Sequence, residues 1–497
     1  MGRVTITRRI PALIGLLTAV ILAAACTSSG AAHPAASGSG SASGGTGSRP
    51  NFVFVLTDDL AWNLVSHMPN VAGLQRAGTT LSHYYVVDSL CCPSRSAIFT
   101  GEYPHDDGVF TNSGQDGGYA TYNAHGDQSR SFAVALQKSG YQTAMMGKYL
   151  NGYQPTDPVP PGWNEWDVAG NGYPEFNYTL NENGAQVHYG HQPDDYLVDV
   201  LSGKAGSFID SSASARKPFM LEVATFAPHA PYTPAPRYAH AASTVAYPKT
   251  PAYDQLPAGS PSWLAQRTPL TAKNQKSILR AYRKRVEADL AVNDLIGHLE
   301  AELKAKGLAR NTYFVFSSDN GYHMGEYRLL PGKQTAFDTD IHVPLIVSGP
   351  GVPAGRTATQ LASNIDLAPT LETLAGLPVA STVDGHSLAD VWHGQNPARW
   401  RQAILIEHHG PDDTRGDPDA QSKQHADPPS YEAVRTASAL YVRYSNGDQE
   451  YYDTATDPYE LDNLAAKGIP AALPRAAGAM QSCHAAPTCW TAAHLSG

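Results

Sequence analysis

Asn51-Phe-Val-Phe-Val-Leu-Thr-Asp-Asp59 decides the fold. From Asn51 to Leu56 the run is continuous, apolar and rich in β-formers, the pattern of a strand covered on both faces inside a parallel sheet. It breaks off at Thr57-Asp58-Asp59, and a second such run, Thr312-Tyr-Phe-Val-Phe316, breaks off at Ser317-Ser-Asp-Asn-Gly321. Two inner strands ending this way would gather their oxygen-bearing side chains at the carboxyl edge of one sheet, where open α/β sheets place their sites. Asp58, Asp59, Asp319 and Asn320 together are hard oxygen donors, the set a calcium ion prefers over a softer metal, with magnesium the less suited alternative. Each pair alone is an ordinary turn former. Their repetition after two matching strands favours the ligand reading.

Working outward, further strand-like runs end in candidate chemistry. Gly140 to Met146 follows a helix-like segment over Ser131 to Ser139 and leads into Gly147-Lys148-Tyr149. A lysine at a strand end either binds an anion or is a solvated surface charge. Phe219 to Thr225 ends at Ala227-Pro-His-Ala-Pro-Tyr232, which puts His229 on a rigid loop above the same edge. An imidazole with an ordinary pKa near 6.5 suits the protonation of a leaving oxygen. From Thr271 to about Lys306 an apolar stripe of helical period predicts a crossover helix on the sheet. The loop leaving Asp319-Asn320 carries His323, a candidate substrate contact, and Lys333, and the buried strand Val343 to Val347 follows. The fold class is therefore α/β, with a large mixed, mostly parallel sheet flanked by helices.

Composition excludes some partners and locates the chain. Of 497 residues, 45 are acidic and 35 basic, for a net charge of −10 with no long basic run, so nucleic acid is not an expected partner. Arg3, Arg8 and Arg9 precede an apolar run from Ile10 to Ala25 that matches a secretory signal. It ends Leu22-Ala-Ala-Ala-Cys26, which resembles a bacterial lipobox with the leucine one place early, and Thr7-Arg8-Arg9 resembles a twin-arginine signal. Lipidation of Cys26 would anchor the mature chain on the outer side of a bacterial membrane. A Ser/Gly/Ala/Thr tether follows over residues 27–49, too poor in apolar residues to bury a core. Cys483 and Cys489 are close enough in sequence to close a small loop by a disulfide outside the cytoplasm. A main domain is expected over residues 50–385 and a smaller one over 386–497, in which Ala403 to Glu407 and Ser438 to Tyr444 read as short strands. Within the smaller domain, the polar stretch from Pro411 to Ser430 predicts a loop near the site.

Asp88-Ser-Leu-Cys-Cys-Pro-Ser-Arg-Ser-Ala-Ile-Phe-Thr-Gly101 adds the reactive group. Pro93 suits a first helical turn and Gly101 a left-handed stop, so the stretch predicts a loop turning into a short helix. Cys91 then sits at a helix N-terminus, which favours negative charge, and Arg95 adds a cation one turn on. The bland alternative is a buried cysteine acting as a small hydrophobe. Cys-x-Pro-Ser-Arg followed by Thr-Gly resembles the signature of the type I sulfatases, of the alkaline phosphatase superfamily, and matching phrases run from Pro50 to Leu464.

That resemblance implies a set of roles. Cys91 would be oxidised to formylglycine by a separate formylglycine-generating enzyme, and Asp58, Asp59, Asp319, Asn320 and position 91 would bind the calcium. Arg95 would stabilise the hydrated aldehyde, one hydroxyl of which attacks sulfur. Lys148 and Lys333 match the two sulfate-binding lysines: Lys148 would hold the sulfate, and His229 and Lys333 would assist departure of the alcohol. The C-terminal region would be a small antiparallel sheet with a helix. Gly-Lys-Tyr-Leu-Asn and Ala-Pro-His-Ala-Pro look most like the N-acetylglucosamine-6-sulfatase branch, so a small sulfated sugar, or an aryl sulfate, is the implied substrate. One departure stands out: many members carry a histidine two places after the Gly-Lys lysine, and this chain has Leu150. A phosphodiesterase or phosphonate hydrolase of the same superfamily would use the same nucleophile and metal. A tethered binding protein without turnover would be expected to have lost some of these residues, and this chain retains them.

Overall fold

The structure, a computed structural model, describes residues 49–411 and 424–495. The expected signal with Cys26, the tether up to Ser48 and most of the polar stretch after Pro411 lie outside the described residues. At the centre stands the strand Asn51–Thr57, paired in parallel with Phe219–Ala224 on one side and Thr312–Ser318 on the other. All seven of its residues are buried. Phe52, Phe54 and Leu56 enter one core, while Val53 and Val55 enter the other. Alternation in a strand sends neighbours to opposite faces, so with both faces of the sheet covered the run from Phe52 to Leu56 is apolar throughout.

Gln142–Lys148 and Glu165–Ala169 extend the parallel set, and the antiparallel hairpin of Tyr178–Glu182 and Ala185–Tyr189 finishes that edge. On the opposite side Leu345–Ser348 runs antiparallel to Thr312–Ser318, and Thr79–Leu81 and Arg356–Ala358 complete ten strands. The predicted crossover is the helix Ala272–Ala305, capped by Thr271, whose hydroxyl accepts from the N–H of Asn274. Gly147 shows why the lysine at the next strand end follows a glycine. Its φ is +98°, and a Cβ there would lie 2.0 Å from the carbonyl oxygen of Ala224 on the neighbouring strand. No helix among the described residues is long and apolar enough to cross a membrane.

A second, four-stranded antiparallel sheet is built from Ile404–His408, Tyr431–Arg435, Ala439–Tyr444 and Gln449–Asp453, in that order. The helix Ala472–Gln481 lays Leu473, Ala477 and Met480 on its Leu405, Val434 and Tyr441. Cys483 and Cys489 are joined by a disulfide. Polar ties hold this sheet to the rest: Arg435 takes both carboxylate oxygens of Asp338 at 2.8 Å, and the N–H of Glu407 donates to the carbonyl of Val87. His105 is the third tie, with Nδ1 2.7 Å from the Glu407 carboxylate and Nε2 donating to the carbonyl of Cys483 at 2.9 Å.

Burial alone would lower the His105 pKa, but the Glu407 carboxylate, the Cys483 carbonyl and Asp106 outweigh it and push the imidazole up to about 9. Because the folded value lies above the unfolded 6.5, its stabilisation is complete below that pH and is lost as pH rises through about 9. His105→Gln is therefore expected to lower the urea midpoint clearly at pH 6 and progressively less toward pH 10. An equal loss at both ends would remove the charge from this tie.

Candidate active site

The carboxyl ends of the two central strands meet as their sequences predict. Asp58, Asp59, Cys91 and Asp319 are all buried, and each offers a ligand atom within 4.8 Å of the others. Consecutive residues of a strand face opposite ways. Asp59 escapes that rule with a φ of +65°, a left-handed turn that lets two successive aspartates serve one cluster. Its N–H donates to Asp319 Oδ1 at 3.1 Å, and its Oδ1 accepts from Asn320 Nδ2 at 2.7 Å. Asn320 Oδ1 is buried and makes no hydrogen bond among the described residues.

The helix Cys91–Thr100 brings the cysteine to this cluster. Its N-terminus follows Leu90, Pro93 lies in the first turn, and Gly101 stops it at φ +73°. Two contacts seat it: the Ser94 hydroxyl donates to the Asp319 carbonyl, and Asn364 Nδ2 donates to the Ser94 carbonyl at 3.1 Å. Cys91 Sγ lies 3.3 Å from Asp58 Oδ1 and 2.7 Å from Lys333 Nζ, which also donates to Asp59 Oδ1 at 2.7 Å. Burial pushes the neighbouring Cys92 thiol up to about 12, and its N–H donates to Asn112 Oδ1. The two adjacent cysteines are thus physically distinct, and only Cys91 faces the cluster of charges.

Arg95 Nε donates to Asp319 Oδ2 at 2.7 Å and its Nη1 to the carbonyl of Lys148 at 2.8 Å. Lys148 sends its ammonium to Asp58 Oδ2. His229 lies between two cis X-Pro bonds, with Nδ1 2.7 Å from the carbonyl of Ala230. A carbonyl only accepts, so Nδ1 carries a proton, and Nε2 is the atom 3.6 Å from Asp59 Oδ2. Burial by itself would raise the Asp58 pKa, but Lys148, His229, Arg95 and Lys333 hold the carboxyl well below the usual range. Burial and the charge of Asp58 push Asp319 up, with Arg95, Lys148 and Lys333 pulling it back.

His323 is placed differently from its expected substrate contact. Its Nδ1 is 2.9 Å from the Asp340 carboxylate and its Nε2 donates to the carbonyl of His425 at 2.9 Å, with the ring fully buried. Burial lowers its pKa, but Asp340 wins and raises it. The residue braces the loop, both ring nitrogens committed to protein partners. Sequence reasoning also missed Asn364, Ser94 and Tyr173. Tyr173 packs 4.5 Å from the His229 ring and 4.9 Å from the Lys148 ammonium. Beside them opens a cavity of about 660 Å³, lined by Lys148, Leu150, Asn151, Asn171, Tyr173 and Phe226 among others.

Parallel strands end in buried carboxylates and cations around a helix-terminal cysteine, on an alkaline phosphatase-like α/β scaffold. Residues 50–377 match the sulfatase family, and residues 325–474 match the C-terminal region of N-sulphoglucosamine sulphohydrolase. The chain belongs to the sulfatase family, enzymes that hydrolyse sulfate esters. It is 35% identical over 479 residues to N-acetylglucosamine-6-sulfatase of Homo sapiens, covering 89% of this chain and 86% of that protein. A solved protein in complex with its substrate D-glucosamine-2-N,6-O-disulfate shares the fold at a TM-score of 0.72 and 23% identity, over 84% of this chain and 94% of that one. The phosphonate monoester hydrolase of Agrobacterium radiobacter shares it at 0.63 and 21% identity, over 84% and 92%.

Asp58 keeps its charge in the interior through its cations. Removing one partner of a buried pair costs about 3 kcal/mol or more, so Lys148→Met is expected to lower unfolding stability by that order in urea titrations. Adding Asp58→Asn should recover much of the loss, whereas additive costs in the double variant would show that the pair is not coupled.

Proposed function

We propose that this sulfatase uses a formylglycine formed from Cys91, together with a calcium ion, to hydrolyse the 6-sulfate of an N-acetylglucosamine unit. One observation carries the reading: Cys91 Sγ, which stands where the oxygen of a formylglycine would be, lies among the three carboxylates of Asp58, Asp59 and Asp319 and 2.7 Å from Lys333 Nζ. The donor set fits the ion. Asp58, Asp59, Asp319 and Asn320 would hold it, with the buried Asn320 Oδ1, which has no hydrogen bond among the described residues, as a ready ligand. When bound, calcium supplies charge that polarises the sulfate oxygens and favours ionisation of a hydroxyl at position 91.

The side chains of the chain divide the remaining work. Arg95 is held by Asp319 and the Lys148 carbonyl, which fixes a cation one helical turn from position 91. Lys148 and Lys333 neutralise the sulfuryl oxygens, charge that must be met where it develops. His229 Nε2, in its protonated form, gives a proton to the departing alcohol oxygen. Leu150 is buried and cannot act as a base, and Lys333 is a proton-carrying side chain in reach of position 91. The cavity next to Lys148 takes the alcohol half. Its Tyr173 and Phe226 rings suit the apolar face of a pyranose, and Asn151 and Asn171 suit its hydroxyl and acetamido groups.

The leader read from the sequence supports export to the bacterial cell surface, anchored through Cys26, where a formylglycine-generating enzyme is the maturation partner. The test combines a peptide mass over Cys91 with turnover, on protein made alongside such an enzyme. Expected are a mass loss equal to the thiol-to-aldehyde difference and sulfate release from N-acetylglucosamine-6-sulfate that stops with a chelator and returns with calcium. Conversion with faster cleavage of a phosphonate monoester would overturn the substrate, and turnover by unmodified cysteine would overturn the nucleophile.

A further inference from the structure

The long crossover helix carries a charge where its register calls for an apolar residue. Tyr282, Val286 and Val292 face the core, and Arg285 beside them is also fully buried. A buried guanidinium is costly unless its environment repays it. Nη2 of Arg285 donates to the main-chain carbonyl of Asp59, and the guanidinium lies 4.2 Å from the ring centre of Tyr322 and 5.7 Å from that of Tyr232. The hydroxyls of those two tyrosines are 3.0 Å apart. Asp289, one turn further along, is buried and within electrostatic reach of Arg285, whose charge works against the rise that burial imposes on its carboxyl. Nε and Nη1 make no hydrogen bond among the described residues, so the fork is directed at the one carbonyl.

That carbonyl belongs to a residue under backbone constraint. Asp59 is left-handed, a conformation that costs a residue with a Cβ about 1–2 kcal/mol. Its carboxylate reaches Asn320 and Lys333 only with the backbone so turned. Tyr322 lies two residues past Asn320, and Tyr232 three past His229. A single side chain thus contacts the loops that carry Asp59, His229 and Asn320. We infer that Arg285 is a positioning residue for the metal site: by donating to the Asp59 carbonyl while its guanidinium packs against the two tyrosine rings, it sets the direction of the Asp59 carboxylate. Lysine cannot reproduce this, since an ammonium lacks the planar fork that stacks on a ring while donating in plane.

The inference rests on the metal reading above, and calcium titration separates the two. Calorimetry on chelator-treated full-length enzyme gives the calcium affinity of wild type, Arg285→Lys and Arg285→Met, with thermal midpoints taken with and without calcium. Groups that orient metal ligands are typically worth about 10- to 100-fold in affinity. Arg285→Met is expected to weaken calcium by that order, with Arg285→Lys recovering only part, and the calcium-induced rise in midpoint should shrink in parallel. If Arg285→Met does not fold, Tyr322→Leu, which removes the nearer ring and keeps the arginine, should weaken calcium in the same direction. Unchanged affinity in the folded variants, with a lower midpoint in the chelated state alone, would overturn the positioning role and leave Arg285 a structural residue. A wild type that binds no calcium would instead sink the metal reading and this inference with it.

Discussion

Three buried carboxylates and three buried cations face one another at the carboxyl edge of the central sheet, and their balance governs the rest of the molecule. Asp58, Asp59 and Asp319 would be prohibitively costly to bury alone, as would Arg95, Lys148 and Lys333. Interleaved, they are tolerated, at the cost that every backbone segment holding one of them must be fixed. A divalent cation among the carboxylates would turn this neutral set into a strongly positive one. Such a site attracts a sulfate monoester and stabilises charge that builds on sulfuryl oxygens, in a place from which water is excluded.

The fold supplies those fixed points from widely separated parts of the chain. Two parallel neighbours deliver Asp58 and Asp319 side by side because their register aligns Thr57 with Ser318. A third strand ends at Lys148, where a glycine is the one residue that fits against the adjacent carbonyl. The Cys91 helix is anchored through Ser94 to the very carbonyl of Asp319, which ties the two segments together. Arg285 reaches in from the helix that crosses between the strands. Chemistry here depends on the sheet, and the sheet edge depends on compensated charge.

Much of this was legible in the sequence, and the parts that were not share a cause. Asp58, Asp59, Asp319 and Asn320 could be read because each pair directly follows a strand of unmistakable composition. Gly101 and Pro93 marked the ends of the Cys91 helix by backbone chemistry alone. Lys148 and Lys333 were given their roles only by resemblance, since nothing local tells a lysine at a strand end or on a loop from a surface one, whereas the two prolines around His229 fixed its loop. The partners of His323 could not be read because they come from elsewhere: Asp340 folds back from 17 residues on, and the His425 carbonyl arrives from beyond the main sheet. The strand Tyr431–Arg435 went unread beside a polar stretch, and Asn364 hid inside a helix start. Arg285 did leave a trace, a charge pair with Asp289 at helical spacing on an otherwise apolar face. That trace points to burial, and only the fold shows that it ends on Asp59.

Diffraction from crystals of the converted enzyme grown in calcium would test the charge-balanced site most directly. The prediction is one cation, with oxygens of Asp58, Asp59, Asp319 and Asn320 at about 2.3–2.6 Å, and with the ammonium groups of Lys148 and Lys333 turned from Asp58 and Asp59 toward the anion position. A structure at saturating calcium in which both lysines remain paired with those aspartates, and no cation lies between the carboxylates, would contradict it.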